Sequence, residues 1–139
     1  MTNQQIILVK KTWWLIRNYN PIVIGDSFYS KLFSEKPSLR RIFTGETDEQ
    51  YKTLVAMLNL IIAKLDKPDH LADELEALVR RQKDFKVTSS YYKPIEEALL
   101  WTVEKALGKE CTIEILAAWK SCYASLTEKM IAASEQDAK

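Results

Sequence analysis

The chain has 139 residues, of which 47% are hydrophobic and 28% are charged, and its 20 Lys and Arg nearly cancel its 19 Asp and Glu. This is the composition of a chain that forms a core, and it excludes disordered, collagen-like and disulfide-scaffold classes. Three Gly and four Pro are too few for a turn-rich all-β fold. A net charge of +1 also argues against a nucleic-acid partner, because a phosphate-binding surface needs a basic excess.

The sequence carries no recognisable targeting or membrane signal. Residues 1–5 lack the basic and apolar regions of a signal peptide. The longest apolar run, residues 55–63, is about half as long as a bilayer span. Cys111 and Cys122 would lie roughly 16 Å apart along a helix, which is beyond disulfide reach. We therefore expect a cytoplasmic protein with two free thiols and no membrane partner.

Apolar residues recur at helical spacing along the chain, and no segment has the period of two that a strand requires. The pattern predicts an all-α fold of six to eight helices. In the first half, three helix starts are marked by capping or N-terminal residues: Thr2 with Gln5, Asn20 with Pro21, and Thr47 with Gln50. A short helical turn after Pro37 is expected to end near Phe43.

In the second half, residues 66–70 are expected to break the third helix. A new apolar stripe begins at Leu71, and its inward positions continue through Val79 to Gln82. Ser89 or Ser90 is predicted to cap a long helix that ends at Leu107, with Pro94 in its first turn. Gly108 ends that helix, and Thr112 caps the last one.

The order of these motifs resembles the globins, specifically bacterial single-domain haemoglobins and the globin module of flavohaemoglobins. The matching segments are FYSKLF at 28–33, PSLRRIF at 37–43, LVAML at 54–58, the arginine pair at 80–81, ALLWTVEKALG at 98–108 and AAW at 117–119. They span nearly the whole chain. The resemblance implies one globin domain over residues 1–139, with its helices packed around a haem-type pocket.

The resemblance also implies a haem b cofactor and a diatomic gas ligand such as O2 or NO. Tyr29 and Gln50 would be the distal hydrogen-bonding pair, and Leu54 the distal wall. Both polar side chains can donate to a bound gas, and a low dielectric strengthens such bonds. The expected porphyrin contacts are Phe43, Leu54, Val79, Gln82, Val87 and Tyr92.

The proximal side departs from the family pattern. Gln82 stands where the family has its iron-binding histidine, and a neutral amide is a weak ligand for ferrous iron. The single histidine, His70, lies 12 residues upstream, about 18 Å along a continuous helix. The identity of any metal ligand is therefore open, with two pairs of weaker alternatives to Gln82: Tyr91 or Tyr92, and Lys83 or Lys86.

Two other functions remain open at this stage. A non-haem globin would use the pocket as a sensor for a bilin (a linear tetrapyrrole), a fatty acid or another apolar ligand, and Cys111 or Cys122 would then be a candidate for chromophore attachment. An interaction protein would act through its surface. Trp13 and Trp14 are adjacent and cannot both point inward, so Trp14 is a candidate anchor for a homodimer.

The sequence contains no self-standing catalytic constellation, such as a metal-ligand cluster, a nucleophile with a histidine, or a phosphate loop. Any NO dioxygenase or peroxidase activity would depend on bound haem and an external reductant. A chain of 139 residues has no room for a flavin or nicotinamide domain besides the globin. We therefore expect a separate reductase or signalling partner if the protein is active.

Overall fold

The computed structural model describes residues 1–18, 21–41, 47–81 and 89–137. That part of the chain contains α-helices, two short 3₁₀ segments and no strand, which confirms the all-α prediction. The helices are α1 (Asn3–Ile16), α2 (Pro21–Glu35), α3 (Thr47–Ala63), α4 (Pro68–Arg81), α5 (Ser89–Leu107) and α6 (Ile113–Asp137). The 3₁₀ segments are Pro37–Arg41, after α2, and Gly108–Glu110, after α5.

The start of α1 is fixed by the predicted capping box. The Thr2 Oγ1 atom accepts a hydrogen bond from the Gln5 backbone N–H at 3.1 Å, and the Thr2 N–H donates to Gln5 Oε1 at 2.9 Å. Two orphan donors of the first turn are thereby satisfied. Further along α1, Trp13 is 5% exposed and Trp14 is 56% exposed. The expectation that only one of the two tryptophans points inward is confirmed.

Two predicted helix starts were wrong by a few residues. Helix α4 begins at Pro68 instead of Leu71, so His70 lies in its first turn and not in the break. Proline suits the first helical position because the N–H it lacks has no intrahelical partner there. Helix α5 begins at Ser89, one or two residues before the predicted start, and Pro94 lies in the second turn. The side chains of Ser89 and Ser90, and with them the predicted cap, are outside the described residues.

The turn between α5 and α6 follows the prediction. Gly108 ends α5 with a φ of 56°, in the left-handed region that favours glycine. Thr112 Oγ1 accepts from the Ile115 N–H at 3.2 Å and so caps α6. The predicted caps at Asn20 and at Thr47 with Gln50 involve side chains outside the described residues.

Helix α2 lies at the centre of the packing, against both α3 and α5, while α6 packs on α1 and α4. Indole hydrogen bonds join three of these helices. Trp119 Nε1 donates to Thr12 Oγ1 at 2.9 Å, and that hydroxyl donates to the Leu8 carbonyl at 2.7 Å. Trp13 Nε1 donates to Asn59 Oδ1 at 2.7 Å. These bonds fix α1 against α6 and against the second half of α3.

The corner between α3 and α4 is held by ion pairs. Lys64 Nζ lies 2.7 Å from Glu74 Oε1, and both side chains are half-buried. Lys10 Nζ lies 2.8 Å from Asp66 Oδ1 at the more exposed edge of the corner. Because Lys64 directly follows the last residue of α3, its pair with Glu74 ties the end of α3 to α4, and these helices carry predicted distal and proximal residues.

Candidate functional site

Tyr29 lies on the inward face of α2, where the residue is 7% exposed. It stacks on Phe33 with ring centroids 5.7 Å apart and on Tyr51 with centroids 5.6 Å apart. Phe28 meets it edge-on at 5.1 Å. Offset stacking and edge-to-face contacts are favoured geometries for aromatic rings. The side chain predicted to be the distal hydrogen-bond donor is therefore held within an aromatic cluster between α2 and α3.

The contact between Tyr29 and Tyr51 depends on a close approach of α2 and α3. Gly25, one turn before Tyr29, lies directly against the Tyr51 ring. A Cβ atom at position 25 would overlap Cβ, Cγ and Cδ1 of Tyr51. Glycine inside a helix costs about 1 kcal/mol relative to alanine. Its presence here lets the backbone of α2 approach α3 closely enough for the tyrosine ring to fit.

The Tyr29 phenol is a neutral donor over the physiological range. Burial raises the pKa of Tyr29 to about 12, and the nearby Tyr51 phenol adds to the shift. Loss of water around the ring penalises the charged phenolate. Tyr29 can therefore donate a hydrogen bond from its O–H group and does not act as an anion.

Gln50 and Leu54 lie on the same side of α3, since they are four positions apart. Leu54 is buried and Gln50 is half-buried. Gln50 immediately precedes Tyr51, so the stack places Tyr29 beside this part of α3. The distal roles of Tyr29, Gln50 and Leu54 stay predictions, but the fold brings their segments together.

Most of the predicted proximal set lies outside what the structure describes. Gln82 and Val87 fall outside the described residues, as do the alternatives Lys83 and Lys86. Phe43, the aromatic expected to pack on the porphyrin, also falls outside them. The backbones of Val79 and Tyr91 are in α4 and α5, but their side chains are outside the description.

Tyr92 is the one predicted proximal residue with a described side chain. It is half-buried, and burial raises its pKa. The Tyr123 hydroxyl on α6 donates to the Tyr92 carbonyl. This bond fixes the first turn of α5 against α6.

His70 has an exposed side chain in the first turn of α4, while its neighbour Leu71 is buried. An imidazole that points to solvent in the first turn of α4 is poorly placed to reach the predicted proximal positions, Val79 and Gln82, which lie at and beyond the far end of that helix. The structure therefore gives no support to His70 as a substitute for the missing proximal histidine.

The globin family model matches residues 26–130. The chain belongs to the globin family. A flavohemoprotein of Rhizobium meliloti (strain 1021) is 26% identical over 131 residues, covering 88% of this globin and 32% of the relative. A globin-like protein of Aquifex aeolicus (strain VF5) is 24% identical over 131 residues, covering 94% of this globin and 92% of that protein.

A similar solved structure is that of a hexacoordinated heme protein from an anhydrobiotic tardigrade. It has a TM-score of 0.85 and 19% identity, covering 97% of this globin and 96% of that chain. This likeness confirms the fold. This globin spans only 30% to 32% of the length of three flavohemoproteins that it matches.

The cysteines of this globin are both free. Cys122 is buried in α6, and burial raises its pKa to about 12. Cys111 is half-buried after the second 3₁₀ segment, and its pKa is raised by burial and by the negative charge of Glu104. Both thiols are thus poor nucleophiles at neutral pH. Chromophore attachment at either cysteine stays a prediction, as does a homodimer anchored on Trp14.

Within the described ranges, no group of three or more His, Cys, Asp or Glu side chains is arranged to hold a metal ion. In the same part of the chain, no helix is long and apolar enough to cross a membrane.

Sequence reasoning missed Phe33 and Tyr51 as parts of the distal cluster. Two signals pointed to Tyr51: it directly follows Gln50, and Gly25 stands alone inside an otherwise continuous helical pattern. An isolated glycine in a helix often marks a close approach of another element. What the pattern could not identify was the ring that would occupy the space.

Proposed function

We propose that this globin binds haem, of the b type, between α3 and α4, and that it binds a diatomic gas such as O2 or NO there. The proposal draws support from membership of the globin family and from relatives named flavohemoproteins. The observation that carries it is the buried ring of Tyr29, which stacks on Tyr51, the residue next to Gln50 in α3.

The distal residues fit such a group. Leu54 supplies a buried apolar wall, and Tyr29 and Gln50 supply neutral donors. Neutral donors in a poorly solvated site would stabilise partial negative charge on a bound gas through hydrogen bonds. The role of the protein on this side is to orient those donors and to exclude water.

On the proximal side, we propose that Gln82 forms part of the pocket wall and that the chain holds the porphyrin mainly by burying its apolar surface. Such burial contributes on the order of 25 cal/mol per Å². Haem supplies the iron atom that binds the gas. Without an imidazole on that iron, reversible O2 carriage like that of ordinary haemoglobins is not part of the proposal.

The test is a titration of the purified apoprotein with haem, followed by absorbance, with circular dichroism as a check of the fold. We expect a saturable Soret band that differs from that of free haem, in the wild type and in His70→Ala alike. A protein that keeps its helical signal but gives only the spectrum of free haem would overturn the proposal.

A second readout tests the role of Tyr29. Carbon monoxide added to the reduced, haem-loaded protein reports hydrogen bonding through its infrared stretch, which a donor lowers. Tyr29→Phe should raise the stretching frequency. Tyr123→Phe removes a half-buried tyrosine hydroxyl whose partner is the Tyr92 carbonyl, so it is the matched control and should leave the frequency unchanged. An unchanged frequency in Tyr29→Phe would remove Tyr29 from the distal site.

A further inference from the structure

We infer that Tyr51 is a positioning residue, which holds the ring of Tyr29 in the orientation from which its hydroxyl meets the gas ligand. This inference rests on the proposed function. Tyr51 would act through Tyr29 and would not itself contact the ligand.

The ring contact is the first support. The Tyr29 and Tyr51 rings are nearly parallel, at an interplanar angle of 19°, with centroids 5.6 Å apart. The Tyr29 hydroxyl changes position when the side chain rotates about its Cα–Cβ bond, and that rotation would push the Tyr29 ring against its neighbours, since packed interiors leave little free volume. A flat surface beside Tyr29 therefore restricts the directions in which its hydroxyl can point.

Tyr51 is itself fixed at the base of its side chain. Its Cβ, Cγ and Cδ1 atoms lie against the backbone of Gly25, where no side chain separates the two helices. The ring is buried at this crossing. Backbone atoms of a helix cannot move aside as the end of a flexible side chain can, so Tyr51 cannot swing toward α2.

The test combines a measurement on the apoprotein with one on the haem-loaded protein. The six tyrosines are labelled with 3-fluorotyrosine, and the Tyr29 resonance in the ¹⁹F NMR spectrum is the one that Tyr29→Phe removes. Tyr51→Leu deletes the neighbouring ring and should shift and broaden the Tyr29 resonance. Tyr51→Phe keeps the ring and should leave that resonance close to its wild-type position.

Two further variants control for loss of packing. Tyr123→Leu deletes a tyrosine ring that contacts the start of α5 and should not move the Tyr29 resonance. Gly25→Ala displaces the Tyr51 ring without deleting it, so it should shift the Tyr29 resonance in the manner of Tyr51→Leu. It serves as the second variant if Tyr51→Leu fails to fold.

In the haem-loaded protein, Tyr51→Leu should raise the carbon monoxide stretching frequency by as much as Tyr29→Phe does, and Tyr51→Phe should restore the wild-type value. A Tyr29 resonance that is the same in wild type, Tyr51→Leu and Gly25→Ala would overturn the positioning role. So would a wild-type frequency in haem-loaded Tyr51→Leu. If the wild type takes up no haem, the proposed function fails, whereas the fluorine spectra still decide whether Tyr51 orients Tyr29.

Discussion

The backbone of Gly25 in α2 lies against the ring of Tyr51 in α3, with no space for a methyl group between them. Gly25→Ala should therefore lower the free energy of unfolding by about 1–3 kcal/mol, the usual cost of overpacking a core. The loss should appear even though alanine favours a helix over glycine by about 1 kcal/mol. Urea denaturation measures the change.

Gly108→Ala is the comparison for this variant. Nothing lies within 4 Å of an added Cβ at Gly108, whose φ of 56° is the only source of strain there. Gly108→Ala should lower the free energy of unfolding by roughly 1–2 kcal/mol, because the left-handed backbone is unfavourable for alanine. The ¹⁹F resonance of Tyr29 should not move. A Gly25→Ala protein as stable as the wild type would contradict the close approach of α2 and α3.

The buried hydroxyl of Thr12 gives a second prediction. Thr12→Val removes the acceptor for the N–H of the Trp119 indole. Because Trp119 is only 1% exposed, that N–H would be left buried and without a partner. The expected loss is about 1–3 kcal/mol in the free energy of unfolding, measured by urea denaturation. Thr53→Val is the matched control, because the exposed Thr53 hydroxyl makes a similar bond to the Glu49 carbonyl without a tryptophan partner. Equal losses in the two variants would show that the indole bond contributes nothing.

Alkaline pH should destabilise the protein through Tyr29. Its pKa in the folded state, about 12, is raised above the ordinary value of 10.0, so the folded state binds the phenolic proton more tightly than the unfolded state. The corresponding stability is fully present below pH 10 and is lost as the pH rises toward 12. It amounts to roughly 2–3 kcal/mol.

The check is the free energy of unfolding measured by urea at several pH values between 8 and about 11.5. Tyr29→Phe should show a smaller decline over this interval than the wild type. Some decline should remain in the variant, since burial also raises the pKa of Tyr123. Parallel curves for the two proteins would mean that Tyr29 titrates normally.

The two cysteines should differ in reactivity toward a thiol reagent such as dithionitrobenzoate. At pH 8, a pKa of about 12 leaves roughly one Cys122 side chain in ten thousand as the reactive thiolate. Cys122 is also buried, whereas Cys111 is half-buried. One thiol should therefore react in the folded protein, and the second only at the rate of unfolding. Cys111→Ser should abolish the fast phase; a fast phase that survives would place Cys122 at the surface.

Local rules were enough to predict much of the fold. The capping box at Thr2 and Gln5, the proline start of α2 and the cap at Thr112 involve residues a few positions apart, so the sequence displays them directly. Helices α4 and α5 begin a few residues earlier than predicted because helix signals compete there. Pro68 can end one helix or begin the next, and both serines at 89–90 can cap or continue a helix.

The candidate site was predictable only in part. Tyr29 and Gln50 came from the resemblance to globins, since a single buried tyrosine has no periodic signature. The stack of Tyr51 on Tyr29 depends on how closely α2 crosses α3, which is a property of packing between segments distant in the chain. Hydrophobic patterning identifies the buried face of each helix but not which rings will meet.

We propose above that this chain is a haem-binding globin without a histidine at the expected proximal position. The most direct test is the absorbance spectrum of the protein purified from its native host, recorded before any cofactor is added. We expect a Soret band that changes when the sample is reduced and exposed to carbon monoxide. A colourless protein that keeps its helical fold, or one that carries the long-wavelength absorption of a linear tetrapyrrole, would contradict the claim.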